Sequence, residues 1–272
     1  MPAVDSHAHV FSRECRVAAD ARYRPGYFAL ARDWTVLWPD AQISHGVLVQ
    51  PSFLGRDNRY LLQQLGSSAD QMRGVVVTGP GTDRAILSAW SEAGVRGIRL
   101  NLIGASDFGV YARPEWQSLF ARIADLGWHL EIQCEGERVS SLLSVLGAVP
   151  LALVFDHFGL PDPKADGCAG ASAILRAAQS RPVYVKLSAP YRLRGADPRS
   201  YAARYLAELG AEHLLWGSDW PWTNHEAGRC YRECRSWLDS WVPSAAARQA
   251  ILWETPRALY GFPYEHPGNP AA

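Results

Sequence analysis

Eight short runs rich in Val, Ile and Leu recur along the chain, separated by stretches with helical periodicity, and few folds accommodate that alternation. The runs are VDSHAHV (4–10), HGVLVQ (45–50), RGVVVTG (73–79), VRGIRLN (95–101), HLEIQCE (129–135), LALVFDHFG (151–159), VYVKLS (183–188) and HLLWGSD (213–219). Most are near-continuous apolar segments, the pattern of parallel strands covered on both faces. Between them, NRYLLQQLGSSAD (58–70), DRAILSAWSEAG (83–94) and PEWQSLFARIADLG (114–127) place apolar residues three and four apart. The last two end in Gly just before the next strand, a helix-stop signal, and Pro114 suits a helix start. Further helices are expected over 137–147, 170–180, 198–210, 227–240 and 244–260. Eightfold strand–helix alternation in this length predicts an α/β chain folded as a (β/α)₈ TIM-like barrel. An open doubly wound sheet is the rival, weakened because no Gly-rich phosphate loop follows the first strand.

The 272 residues, 48% hydrophobic, suit one domain over 1–264, with the Pro/Gly-rich 265–272 as a frayed tail. Lys+Arg and Asp+Glu are both 27, so no net field favours nucleic acid or a membrane surface. The start of the chain lacks a signal-peptide pattern and no window reads as a membrane span, which predicts a cytoplasmic protein. Five cysteines (15, 134, 168, 230 and 234) read as reduced thiols. Cys230 and Cys234 share a helical face and could form half a metal site, but no second pair completes it.

In such a barrel, reactive groups stand at the C-terminal ends of strands. The first strand ends in His7 and His9, alternate residues that can point into the barrel mouth together. The sixth ends in Asp156-His157 and the eighth in Asp219. Three histidines and an aspartate on one face can bind a divalent metal such as zinc. They can equally do acid–base work and polarise a carbonyl without metal. A lone buried histidine is more often a hydrogen-bonded core residue, and the weight lies in the set. His45, His129 and His213 begin strands, at the opposite end, and read as structural; His225 follows the eighth strand and could line the mouth, and His266 lies in the tail.

At this point DSHAHVF, GVRGIRLN, VFDHFG and LLWGSDWP resemble the amidohydrolase superfamily, in its amidohydrolase-2 branch. The chain is most similar there to the 2-pyrone-4,6-dicarboxylate lactonases and the related sugar-lactone and muconolactone hydrolases. The resemblance implies a distorted (β/α)₈ barrel and hydrolysis of a small carboxylated lactone. It implies that Asp219 activates water while His7, His9 and His157 serve the carbonyl. No cofactor is required on this reading, or one divalent metal, zinc first, is held by His7, His9, His157 and Asp219. Arg99 and Asn101 stand where a bridging lysine or glutamate would be needed for two metals. Arg99 and Arg192 are expected to hold a substrate carboxylate bidentately, and Tyr23, Ser52, Asn101 and Asn224 match pocket positions. Gly104 and Ala105 stand in place of a further basic pair, and Gln133-Cys134 in place of a tyrosine. A second substrate carboxylate would then turn to Arg113 or Arg56. The alternatives are a metal-dependent decarboxylase or amidohydrolase of a small aromatic or sugar acid, a lactone isomerase, and a non-catalytic acid-binding barrel. A homo-oligomer is compatible with the sequence.

Overall fold

The computed structural model describes residues 1–147, 149, 151–161 and 169–263. Eight parallel strands lie side by side in chain order. They are β1 (Val4–Ala8), β2 (His45–Val49), β3 (Met72–Val76), β4 (Val95–Asn101), β5 (His129–Gln133), β6 (Leu153–Phe155), β7 (Val183–Ser188) and β8 (Leu214–Gly217). Two short helices, α1 (Ala31–Thr35) and α2 (Trp38–Ala41), connect β1 to β2. One helix follows each of the next six strands: α3 (Arg59–Gly66), α4 (Arg84–Glu92), α5 (Pro114–Asp125), α6 (Val139–Leu146), α7 (Ala169–Ala178) and α8 (Pro198–Leu209). After β8 come α9 (Tyr231–Trp241), α10 (Ala245–Gln249), a π-helical turn Ala250–Glu254 and α11 (Thr255–Tyr260). This is the expected α/β barrel. Cys168, His266 and the expected tail lie outside the described residues. No helix among those described is long and apolar enough to cross a membrane.

The strands stop short of the expected ends. β6 ends at Phe155 because His157, Phe158 and Leu160 take left-handed φ values of 51°, 57° and 46°. β8 ends at Gly217, and Asp219 has φ 58°. Apolar composition continues into these turns, so pattern alone overruns them. The helix pair at 31–41 is too short to show a helical period.

Side chains fill the barrel in tiers. At the bottom Val4, Val47, Val49, Val75, Val154 and Leu215 point inward and are plugged by Trp253, Tyr260 and Phe262 from the C-terminal segment. His45 stacks on Trp253 and Phe262, and His129 on Tyr260, in that same lower tier. The tier above is charged: Glu131 on β5, Lys186 on β7 and Arg99 on β4, each at most 2% exposed. The outward strand faces, such as Leu130, Ile132, Val185 and Leu187, pack under the helices.

The seam between β1 and β8 closes differently from the other seven junctions. The β1–β2 pairing shifts register between Asp5 and Ala8. A one-residue slip turns a side chain to the other face of a sheet, so Asp5 points outward although His7, two residues on, points inward. Asp5 there accepts five hydrogen bonds, from Trp34 Nε1, Tyr231 Oη, Ser218 N and Oγ, and His7 N. It ties β1 to the residue after β8 and to both flanking helices. Backbone bonds complete the seam, with Asp219 N donating to His7 O at 2.9 Å and His9 N to Trp220 O at 2.7 Å. Gly217 makes the approach feasible, since a Cβ there would lie 2.5 Å from the His7 Cβ.

Asp5→Ala leaves buried donors of Trp34, Tyr231 and Ser218 without acceptors. It should cost about 3 kcal/mol or more, read as a lower denaturant midpoint at unchanged slope.

Candidate active site

The groups at the barrel mouth stand at or just beyond the ends of β1, β6 and β8. Asp219 sits at the floor of a cavity of about 470 Å³. Its Oδ2 accepts from Tyr191 Oη and Arg192 Nε, both at 2.7 Å. Its Oδ1 is buried and has no hydrogen-bond partner among the described residues. That oxygen instead faces three imidazoles, 3.6 Å from His7 Nε2, 3.5 Å from His9 Nε2 and 3.8 Å from His157 Nε2. His9 is oriented by its Nδ1 bond to the Val49 carbonyl, 2.8 Å. His157 is oriented by Ser188 Oγ, 2.8 Å from its Nδ1. Its Nε2, like Asp219 Oδ1, is buried with no partner among the described residues.

The charged tier lies directly beneath. His7 Nδ1 is 3.1 Å from Lys186 Nζ, 3.2 Å from Asp156 Oδ1 and 3.6 Å from Glu131 Oε1. Lys186 Nζ donates to Glu131 Oε2 at 2.5 Å. Arg99 donates to Asp156 Oδ2 from Nε and Nη2, at 3.1 and 2.8 Å, and from Nη1 to the Gln50 carbonyl at 3.3 Å.

Burial would push the Asp219 carboxyl up, but the Arg192 guanidinium and the adjacent histidines outweigh it and hold it well below the usual carboxylate range. Asp156 is held low against burial by Arg99, His7 and Lys186. Burial and then Lys186 push His7 well below an ordinary imidazole, and burial lowers His157 to about 4 despite Asp219. At neutral pH the floor therefore presents an ionised carboxylate, with both of these rings neutral. Burial and Asp219 push the Tyr191 phenol up, which keeps it a donor.

His9, Asp219, Arg99, Arg192, Tyr23, Ser52 and Asn224 line the cavity, and His7 and His157 sit just under it. Asn101 does not line it; its Oδ1 is buried at the end of β4 without a partner among the described residues. Tyr23 is held by Glu226 Oε1 at 2.9 Å, an acceptor it shares with Tyr27. Neither Arg113 nor Arg56 lines the cavity; Arg22 and Arg194 do, with Arg194 bound to Glu137 at 2.9 Å. His225 lines the mouth and stacks on Tyr191, ring centroids 4.8 Å apart. Sequence reasoning did not single out Glu131 or Lys186. Their signal was there, as single charges inside the apolar runs HLEIQ and VYVKLS. Tyr191 and Arg22 lie outside the strands and carry no such signal.

His7, His157 and Asp219 form a buried group compact enough for one divalent cation, with His9 beside His7. Imidazole and carboxylate donors about 2.0–2.1 Å from a tetrahedral ion lie about 3.3–3.4 Å apart. The Nε2 atoms of His7 and His9 are 3.3 Å apart, and the imidazole distances to Asp219 Oδ1 run from 3.5 to 3.8 Å. Two of these four atoms, His157 Nε2 and Asp219 Oδ1, have no other partner among the described residues. A second group, His7 with Glu131 and Asp156, is also compact enough for an ion, but the Lys186 ammonium already sits within it.

The amidohydrolase family model matches residues 4–262. Across 95% of its length the chain is 29% identical to the 2-pyrone-4,6-dicarboxylate hydrolase of Comamonas testosteroni, covering 90% of that protein. It is 24% identical over 94% of its length to the 4-sulfomuconolactone hydrolase of Rhizobium radiobacter, covering 89% of it. The solved structure of a candidate 2-pyrone-4,6-dicarboxylic acid hydrolase from Pseudomonas putida matches with a TM-score of 0.89 at 40% identity, covering 97% of this chain and 98% of that one.

Chelator-treated protein should take up zinc at one ion per chain by calorimetry. Asp219→Ala should weaken that uptake by about tenfold or more, and Tyr23→Phe should leave it unchanged.

Proposed function

The chain belongs to the amidohydrolase family, and from that premise we propose that it hydrolyses the ring ester of a small carboxylated lactone. The observation that carries the reading is the divided aspartate. Asp219 Oδ2 is fixed by Arg192 and Tyr191, while Oδ1 is left open toward the three Nε2 atoms at the cavity floor. The similarity to hydrolases of 2-pyrone-4,6-dicarboxylate and 4-sulfomuconolactone supports the same reaction class.

Asp219 Oδ1 orients a water and takes its proton as the water attacks the ring carbonyl. Held ionised by Arg192, the carboxylate is a weak base, suited to passing that proton on to the leaving ring oxygen. His7 and His157 face the position of the developing oxyanion and stabilise it from fixed orientations as Nε2–H donors, while His9, whose Nδ1 donates to the Val49 carbonyl, holds the His7 ring in place. A divalent cation held by His7, His9, His157 and Asp219, zinc being suited to this nitrogen-rich set, would polarise the carbonyl and acidify water when bound. The substrate carboxylate is assigned to Arg192, whose Nη1 makes no hydrogen bond among the described residues, with Arg22 at the rim. Arg99 contributes positive charge from the floor while bound to Asp156. Asn224, Ser52 and Tyr23 shape the rim.

The test is a panel of carboxylated lactones that includes 2-pyrone-4,6-dicarboxylate, followed by ring absorbance and proton release. Hydrolysis releases a proton as the acid forms; isomerisation releases none, and decarboxylation yields CO₂. Asp219→Asn should lower kcat by about a thousandfold with circular dichroism unchanged. Turnover near wild type in that variant, or no lactone consumed by the parent, would overturn the assignment.

A further inference from the structure

The positions of the protons beneath the floor follow from which atoms can only give and which can only take. A carbonyl oxygen only accepts, so His9 donates its Nδ1–H to Val49 at 2.8 Å. In the neutral ring this leaves His9 Nε2 as an acceptor. That atom lies 3.3 Å from Nε2 of His7. Two bare ring nitrogens repel at that distance, and the contact is a hydrogen bond only when His7 carries its proton on Nε2. The Nδ1 of His7 must then accept. An ammonium only donates, and the Lys186 Nζ stands 3.1 Å away.

We propose that Lys186 is a positioning residue that fixes the tautomer of His7 and competes with a divalent cation for that ring. The chain of bonds runs from Lys186 Nζ–H to His7 Nδ1, from His7 Nε2–H to His9 Nε2, and from His9 Nδ1–H to the Val49 carbonyl. Lys186 is anchored for this task by Glu131 at 2.5 Å and Asp156 at 3.6 Å, with its side chain fully buried. It occupies the very cluster of His7, Glu131 and Asp156 that is otherwise compact enough to hold an ion.

Two cations thus make opposite demands on one imidazole. Lys186 requires the lone pair on Nδ1 and the proton on Nε2. An ion at the cavity floor requires the lone pair on Nε2. For that, the ring proton must move to Nδ1 and turn to Asp156 Oδ1, 3.2 Å away, against the ammonium beside it. Lys186 therefore weakens ion binding at the floor and holds His7 as an N–H donor facing His9 and Asp219. This holds whichever lactone is the substrate and does not rest on the proposed reaction.

The test uses the full chain, ¹⁵N-labelled and stripped of metal by chelator. Long-range ¹H–¹⁵N correlation spectra, assigned with His7→Gln, should show His7 protonated at Nε2 and bare at Nδ1. Lys186→Met should lose that signature and bind zinc about tenfold or more tighter in competition with a chromophoric chelator. Lys186→Gln, which keeps an N–H donor one bond shorter on that side of the ring, should gain less affinity than the Met variant. Because Lys186→Met leaves Glu131 unpaired, the double variant Lys186→Met/Glu131→Leu carries the same expectation in a charge-balanced interior. A proton on His7 Nδ1 in the metal-free parent, or zinc affinity unchanged or weaker in both Met-bearing variants, would overturn the proposal.

Discussion

Glu131 and Lys186 meet at 2.5 Å with neither side chain exposed, and the rest of the barrel interior is arranged around that pair. Above an apolar plug, the carboxylates of Glu131, Asp156 and Asp219 are matched by Lys186, Arg99 and Arg192. An ion buried without a partner costs several kcal/mol, and one whose partner is removed costs nearly as much. The six charges therefore stand as a set, with each carboxylate bonded to a cation that a different strand or turn supplies. Such a network is costly to assemble and stiff once assembled. Stiffness is what a floor of pre-aimed dipoles requires, because stabilisation of a developing charge depends on groups that do not have to reorient.

Backbone geometry adds to that fixity. His157, Ala189 and Asp219 follow β6, β7 and β8, and all three take left-handed φ values, 51°, 49° and 58°. Residues with a Cβ adopt this region at a cost of order 1–3 kcal/mol each, and they hold it only where the surroundings impose it. Here the surroundings are the bonds of the floor itself. His157 is pinned by Ser188 and Asp219 by Tyr191 and Arg192. Three neighbouring strands turn sharply at their ends, and two of those turns bring His157 and Asp219 together.

Much of this could be read from the chain before any fold was seen. Near-continuous apolar runs separated by periodic segments specify buried parallel strands. The rule that barrel chemistry stands at strand ends then brings His7, His9, His157 and Asp219 together. What the chain does not display is how many partners a charged residue has. Arg99 and Arg192 read as carboxylate binders, and each does bind a carboxylate, but it is one of the protein's own, Asp156 or Asp219. Glu131 and Lys186 were visible as lone charges in apolar strands, yet their pairing depends on β5 and β7 facing one interior from either side of β6, which local pattern does not encode. Asp5 shares its spacing with His7 and His9, and only the register shift in β1 turns it to the outer face.

The seam between the first and last strands has a consequence for the life of the molecule. The backbone bonds that close it belong to His7, His9, Asp219 and Trp220, so closing the ring and aligning the side chains of the candidate floor are one event. The two sides of the floor are separated by most of the chain. A nascent polypeptide that has built seven strands holds its first two histidines opposite an empty place. A chain cut short before β8 lacks both the closing seam and the Asp219 side of the candidate floor.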